Sequence, residues 1–298
     1  MWVLHLDAGR EMRGGQWQVL RLMEGLAPAG VESTLLARPG APLFQTARAR
    51  GWRVEPWGFT NALRLARSCD LIHAHDARSH GLALLGRAPL VVARRVAFPL
   101  RSRWKYRRAA RYIAVSEFVK SVLVTGGVPE GKIAVVYDGV PLLEVTARAL
   151  QEPQVRPLAP ANAADPQKGA ALALEAARLA CVPLRFSDDL ERDLREASLF
   201  VYITHSEGLG SAALMAMSAG LPVIASDTGG LREVIRHGVN GLLVQNSAAA
   251  IAAAIRELIE KPEFGRQLGC EARHTVESRF TCDLMVRRTM DVYHEVLS

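Results

Sequence analysis

The sequence lacks any paired cysteine motif. Its four cysteines, Cys69, Cys181, Cys270 and Cys282, lie far apart with no Cys-x-x-Cys spacing, which argues against a zinc knuckle or a disulfide framework and points to a reducing compartment. It also lacks a long apolar run, with no stretch approaching the roughly 18 uncharged residues a spanning helix needs. The opening MWVLHLDAGREM has no basic n-region and is interrupted by Asp7, so it reads as a buried strand rather than a signal peptide. Acidic residues are in deficit, 30 against 37 Lys and Arg. The resulting +7 and a pI near 9.6 favour anionic partners. No internal repeat of fixed period is present. These features predict a cytoplasmic globular protein.

What is present is apolar material in short pieces. Of 298 residues, 49% are hydrophobic and 22% charged, with mean hydropathy +0.08, too apolar for a disordered polyelectrolyte. Apolar runs predict strands from Trp2 to Leu6, Glu32 to Ala37, Trp52 to Pro56, Leu71 to His75, Leu90 to Ala93, Tyr112 to Val115 and Ile133 to Val136. Helix patterns separate them, including one from Gln16 to Ala29 and one capped by Ser116 that stops at Gly126-Gly127. Such alternation predicts a parallel sheet covered on both faces by helices. The segment from Gln151 to Pro166 holds four prolines and reads as a linker, giving domains over 1–145 and 146–281. The second half resumes the rhythm: helix from Gly169 to Ala180, strand from Leu199, helix from Ser211, strand from Pro222, helix from Leu231 to His237, strand from Gly241, then helices only.

In open parallel sheets ligands bind beyond the carboxyl ends of the strands, so the loops after strands carry the functional signal. The first strand leads into Gly14-Gly15 at a helix start. A later strand leads into Glu207-Gly208-Leu209-Gly210-Ser211, also opening a helix. There the free amides and the helix dipole favour an anion such as a diphosphate, and Glu207 suits sugar hydroxyls because a carboxylate accepts several hydrogen bonds. The plain alternative is a capping acid on a packed helix. Asp227-Thr228-Gly229-Gly230 forms a second glycine-rich turn, and Lys168-Gly169 at another helix start places an ammonium where a phosphate could meet it.

These residues, with His73-Ala74-His75, Ile113-Ala114-Val115-Ser116, Tyr137-Asp138-Gly139-Val140, Gly220-Leu221-Pro222, Glu233 and Tyr293, together resemble the family 4 retaining glycosyltransferases of GT-B architecture. The resemblance implies two Rossmann-like domains with parallel sheets facing across a cleft, the acceptor on the N-terminal one and the donor on the C-terminal one. It also implies a final helix, 282–298, that packs back on the first domain. The implied reaction moves a sugar from a nucleoside-diphosphate donor to a glycan or lipid-linked acceptor with retention, with no metal or other cofactor. Carried over by position, Lys168 binds the diphosphate, Glu207 holds the transferred sugar, and Gly14 and Gly15 admit the ligand. Gly208, Leu209, Gly210, Ser211, Gly229 and Gly230 line the donor, and His73, His75 and Arg94 lie on the acceptor side.

Departures from the family pattern shape a second reading. The second acid of the family's pair becomes Met215, eight positions along a helix and so about 12 Å further. A thioether cannot clamp a ribose diol. Where many members carry a His near the sugar, Arg94-Arg95 stands, so Arg95 is assigned to phosphate rather than to proton transfer. The Arg position ahead of Lys168 aligns with Asn162. Only one strand fits between Ala180 and Leu190, which narrows the donor domain. The alternative function is therefore a GT-B scaffold that binds a phosphorylated glycan or partner without turnover.

Eight cations fall from Arg94 to Arg111 with no acid among those 18 residues, interleaved with Phe98, Trp104 and Tyr106. Two readings stay open, contact with an anionic membrane surface and a solvated helix face; no nucleic-acid motif accompanies the stretch. His73 and His75 share one face of a strand. A metallohydrolase pattern would need Asp and His where Ala77 and Arg78 stand.

Overall fold

A computed structural model describes residues 1–100, 104–144, 155–161 and 168–298. They form two compact units, Met1–Gly139 with Cys282–Ser298, and Val140–Thr281. Each is a parallel sheet wrapped by helices, the Rossmann-like arrangement expected.

The first unit runs β1 (Trp2–Asp7), α1 (Gly14–Leu26), β2 (Glu32–Ala37), α2 (Pro42–Ala49), β3 (Arg53–Pro56), α3 (Phe59–Leu65), β4 (Leu71–Ala74), α4 (Ala77–Ala83), β5 (Leu90–Arg94), β6 (Arg111–Ala114), α5 (Glu117–Thr125) and β7 (Ile133–Val135). Its seven strands lie in the order β3-β2-β1-β4-β5-β6-β7, so strand order reverses between β1 and β4. Helix starts follow local chemistry. Asp76 caps α4 by accepting from the amides of Arg78 and Ser79, and the Ser116 hydroxyl accepts from Val119 N to start α5.

The second unit runs β8 (Pro157–Pro160), α6 (Ala170–Leu179), β9 (Arg185–Ser187), α7 (Leu190–Asp193), β10 (Leu199–Tyr202), α8 (Ser211–Ser218), β11 (Val223–Ser226), α9 (Leu231–Val234), β12 (Leu242–Val244), α10 (Ala248–Glu260) and α11 (Pro262–Arg279). Its five strands lie in the order β12-β11-β10-β8-β9. The core joins Leu199, Val201 and Ile224 of the sheet to Ala173 and Ala176 of α6 and Ile251, Ile255 and Leu258 of α10. Only β9 and the single turn α7 stand between α6 and β10.

The final helix α12 (Cys282–Leu297) belongs to the first unit. Its Met285, Val286, Val292 and Tyr293 pack with Val3, Leu71, Val91 and Ile113 of the sheet and with Leu22 and Leu26 of α1.

Two expectations are corrected. The proline-rich stretch is not all linker: Pro157–Pro160 is strand β8, paired in parallel with both β10 and β9. Pro157 occupies its first position, where a missing N–H is tolerated, and Pro160 its last. The helix expected to run to His237 ends at Val234, and Ile235 is already extended. The Asn240 side chain explains the stop. Its Oδ1 accepts from Arg236 N at 2.6 Å and its Nδ2 donates to Val234 O at 3.1 Å, replacing the next helical bonds. Asn162, Arg101 and Arg103 lie outside the described residues, as does the stretch 145–154 that includes the expected boundary.

Candidate functional site

In the second unit, β10 and its following loop bring three polar groups together. Lys168 forms an antiparallel bridge with Thr204 just past the end of β10, which carries its side chain to the strand's carboxyl end. Its Nζ lies 2.7 Å from Glu207 Oε2 and 3.0 Å from Tyr202 Oη. The Tyr202 hydroxyl donates to the same carboxylate oxygen at 2.5 Å, while Glu207 Oε1 accepts from Gly208 N at 3.1 Å. Both charged side chains are largely buried, 21% and 16% exposed. An ammonium has three donors, and two are accounted for. The third has no partner among the described residues, so one N–H remains for a ligand.

The surrounding loop is built by its glycines. Gly210 has φ +104, a left-handed conformation, and sits at the start of α8. A Cβ on Gly230 would lie 1.9 Å from the Gly208 carbonyl oxygen, and Gly230 N donates to Glu207 O at 3.1 Å. Those two glycine turns therefore interlock, and each is required by the chain itself. Ser211 and the half-buried first turn of α8 follow directly, with unspent amides at the helix start. Leu209 is 2% and Met215 5% exposed, inside the unit. Gly229 completes the turn with φ +51.

Gly15 differs. It lies in the first turn of α1, and a Cβ there would stand 3.7 Å from Arg95 Cδ, an ordinary contact. Nothing among the described residues requires a glycine at that position. Gly15→Ala is expected to raise stability by up to about 1 kcal/mol, because alanine loses less entropy in a helix, and, under the ligand-admitting role that the resemblance implies for Gly15, to lower turnover. Thermal denaturation and a transfer assay on one preparation check both signs.

In the first unit the strand reversal gathers histidines. His5 of β1 and His73 of β4 are register partners, and His75 follows on the same face. His5 Nδ1 and His75 Nε2 are 3.1 Å apart, and His73 Nδ1 meets the Tyr293 hydroxyl at 2.6 Å. Arg95 completes the group: its Nε donates to Asp138 Oδ1 at 3.0 Å and its Nη1 lies 3.4 Å from His75 Nδ1. Burial holds His5 down at about 3, and it holds His73 and His75 well below the usual imidazole range, aided by one another and by Arg95. Beside them, Asp7 accepts from Gly9 N and from Gln16 Nε2. Burial, with the Asp76 charge, pushes its carboxyl up to about 6.

The three imidazoles offer ligand atoms within 4.8 Å of one another. Their nitrogens are already paired except His73 Nε2, and a guanidinium stands beside them. A dication there would have to break those pairings and would meet the Arg95 guanidinium, 3.4 Å from His75 Nδ1, so the set fits neutral hydrogen-bonded histidines better than a metal.

Arg94, expected on the acceptor side, is 9% exposed. It donates to Val96 O at 3.0 Å, to Phe98 O and to the Tyr106 hydroxyl. It therefore braces the loop after β5. The expectation of a helix face over this stretch is corrected as well: among its described residues the helical part is a 3-10 turn, Trp104–Arg107. Lys105 donates to Ala77 O, and Arg111 bonds Gly131 O and Glu295.

Sequence reasoning missed Tyr202, His5 and Asp7 as members of these clusters. Each lies in an apolar strand and reads as core. Only the ligand-facing ends of β10 and β1 signal otherwise.

Residues 12–143 match the family model described as Glycosyltransferase Family 4, and residues 168–275 match Glycosyl transferases group 1. The structure of Anabaena HepE in complex with UDP-glucose is similar over 99% of this chain and 100% of that one, with TM-score 0.87 and 17% identity. A D-inositol 3-phosphate glycosyltransferase of Thermobispora bispora is 38% identical over 105 residues, 35% of this chain and 24% of that protein. An N-acetyl-alpha-D-glucosaminyl L-malate synthase of Bacillus anthracis is 30% identical over 111 residues, 37% of this chain and 29% of that protein. The matched stretch thus spans about a quarter of the length of these curated relatives.

Proposed function

The chain belongs to the GT-B-fold proteins related to the family 4 and group 1 glycosyltransferases, and from that premise we propose that it transfers a sugar from a uridine-diphosphate sugar to a glycan or lipid-linked acceptor with retention. The observation that carries this reading is the Lys168–Glu207–Tyr202 cluster at the glycine-built start of α8. The donor's diphosphate takes the α8 amides and the remaining Lys168 N–H. Glu207 accepts from hydroxyls of the sugar. As the bond from the anomeric carbon to the leaving oxygen breaks, negative charge grows on the diphosphate, and the ammonium and helix start stabilise it where it forms. Anabaena HepE, whose structure holds UDP-glucose, supports the choice of donor class.

The first unit holds the acceptor in this reading, with His75 and Arg95 near the carboxyl ends of β4 and β5. Arg95 is engaged by Asp138, so it acts through that pair, with His73 placed by Tyr293. Association with an anionic membrane face rests on Trp104, 63% exposed, and Phe98, 52% exposed, together with the exposed Arg107 and Arg108. No helix of the described residues is long and apolar enough to cross a membrane.

Titration of the full chain with UDP and with a panel of UDP-sugars tests the proposal. Glu207→Gln is expected to keep UDP affinity within about three-fold and to lower turnover by about two powers of ten, since its partner is the sugar. Absence of nucleotide binding at millimolar concentration, with an inert wild type, overturns it. The buried Met215 favours one other reading, binding without turnover, because the ribose meets no carboxylate there. Nucleotide binding with no sugar transfer or donor hydrolysis is the result that reading predicts.

A further inference from the structure

A hollow of about 350 Å³ opens in the first unit, lined by Arg10, Arg38, Pro39, Gly40, Ala41 and Trp57. These residues come from the loops that follow β1, β2 and β3, so the hollow lies beyond the carboxyl ends of three neighbouring strands, the edge where such sheets bind ligands. The volume suits one sugar ring with a substituent, at the small end of ligand sites.

Its chemistry is one-sided. Two of the six lining residues are arginines and none is acidic. Neither Arg10 nor Arg38 makes an ion pair among the described residues. Arg38 is fixed in place: its Nε donates to Ala8 O at 2.8 Å, and its guanidinium carbon lies 5.9 Å from the Trp57 ring centre. That bond uses one of its five N–H donors and leaves the outer ones for an anion. Trp57 is in turn held by its amide, which donates to Ala37 O at 2.7 Å, and its partly exposed indole lines the hollow with apolar surface that a sugar ring can pack against. Phe59, 59% exposed, stands two residues on. Elsewhere in this unit, cations such as Arg94, Arg95 and Arg111 are spent on the protein's own carbonyls and carboxylates. Arg10 and the outer edge of Arg38 are not.

We infer that this hollow is the acceptor subsite and that the acceptor it takes is an anionic saccharide, with a sugar ring on Trp57 and a phosphate or carboxylate on Arg10 and Arg38. The acceptor role rests on the transferase reading above; the anion site does not. Bidentate guanidinium contacts recognise both anions, so the experiment separates the two sources.

The full chain, saturated with UDP, is titrated calorimetrically with glucose 6-phosphate, glucuronate and glucose. Glucose 6-phosphate or glucuronate is expected to bind at least ten-fold tighter than glucose, and the tighter of the two identifies the anion. Arg10→Ala, which removes no hydrogen bond or ion pair made among the described residues, is expected to weaken that binding about ten-fold and to leave UDP affinity unchanged. Trp57→Ala is expected to weaken all three sugars. Anionic sugars that bind no better than glucose, or binding that ignores Arg10→Ala, overturn the inference while UDP binding stands. Glucose 6-phosphate bound through Arg10 in a chain that does not bind UDP would remove the transferase reading and keep the anion site.

Discussion

Turnover falls by two to three powers of ten, on the order of what one preorganised donor contributes to a developing anion, when Lys168 is replaced by Met. The side chain stays long and apolar, so the change removes one charge and little volume. In the resting site that charge is held by Glu207 at 2.7 Å and Tyr202 at 3.0 Å. In the proposed reaction it reaches the diphosphate through the donor those two leave over. Because charge on the diphosphate grows as the glycosidic bond breaks, the contact is stronger in the transition state than in the bound donor, and the loss falls on kcat more than on KM. Affinity for UDP, which carries the fully developed charge, falls more than affinity for the UDP-sugar. Lys168→Arg recovers only part of the rate, since a planar fork does not reproduce a point charge on this geometry. Steady-state kinetics beside a nucleotide titration checks all of this. A kcat within three-fold of wild type, in a variant with unchanged thermal midpoint, would remove Lys168 from the mechanism.

Acid is expected to unfold the first unit well above the usual carboxylate range. His5 sits at about 3, His80, buried on α4, at about 4, and His73 and His75 well below 6.5, all through burial first. In the unfolded chain each returns to about 6.5. Between pH 6.5 and about 4 the unfolded state therefore binds more protons, and stability rises with pH and is lost as pH falls. Asp7 acts in the opposite sense: its folded carboxyl, at about 6 against an ordinary 3.8, takes up a proton in the folded state over nearly the same window. Four histidines less one carboxyl leave a net difference of about three protons. Its upper limit is about 4 kcal/mol per pH unit, set against a total stability of roughly 5–15 kcal/mol for a domain. The thermal midpoint should drop steeply from pH 7 to pH 5. A flat profile over that range would show that these histidines protonate in place.

Much of the fold was legible because short buried parallel strands leave largely apolar runs, as in β1, β5, β10 and β11. β8 was hidden because the prolines that bound it are also the commonest mark of a linker. The end of α9 was hidden because what stops it, the Asn240 side chain, returns from beyond the helix and has no signal at Ile235 itself. In the site, Lys168 and Glu207 were legible from their place just after strands or at helix starts. Tyr202 was not, since its ring is core and only its hydroxyl serves the carboxylate. The histidine cluster depends on the register of β1 against β4, which aligns His5 with His73 and which neither segment encodes alone. The basic stretch misled for a related reason. Burial of Arg94 follows from carbonyls of the loop that folds back over it, and charge counting treats every Arg alike.

The return of α12 to the first unit sets an order on biosynthesis. When a ribosome has delivered Met1–Gly139, the sheet is complete but the helix that covers Val3, Leu71 and Val91 has not been made, and all of Val140–Thr281 comes first. At roughly 5–20 residues per second the wait is on the order of ten seconds. The second unit, contiguous in the chain, can fold during it. Until then the face of the first sheet formed by Val3, Leu71 and Val91 lacks the cover that α12 gives it.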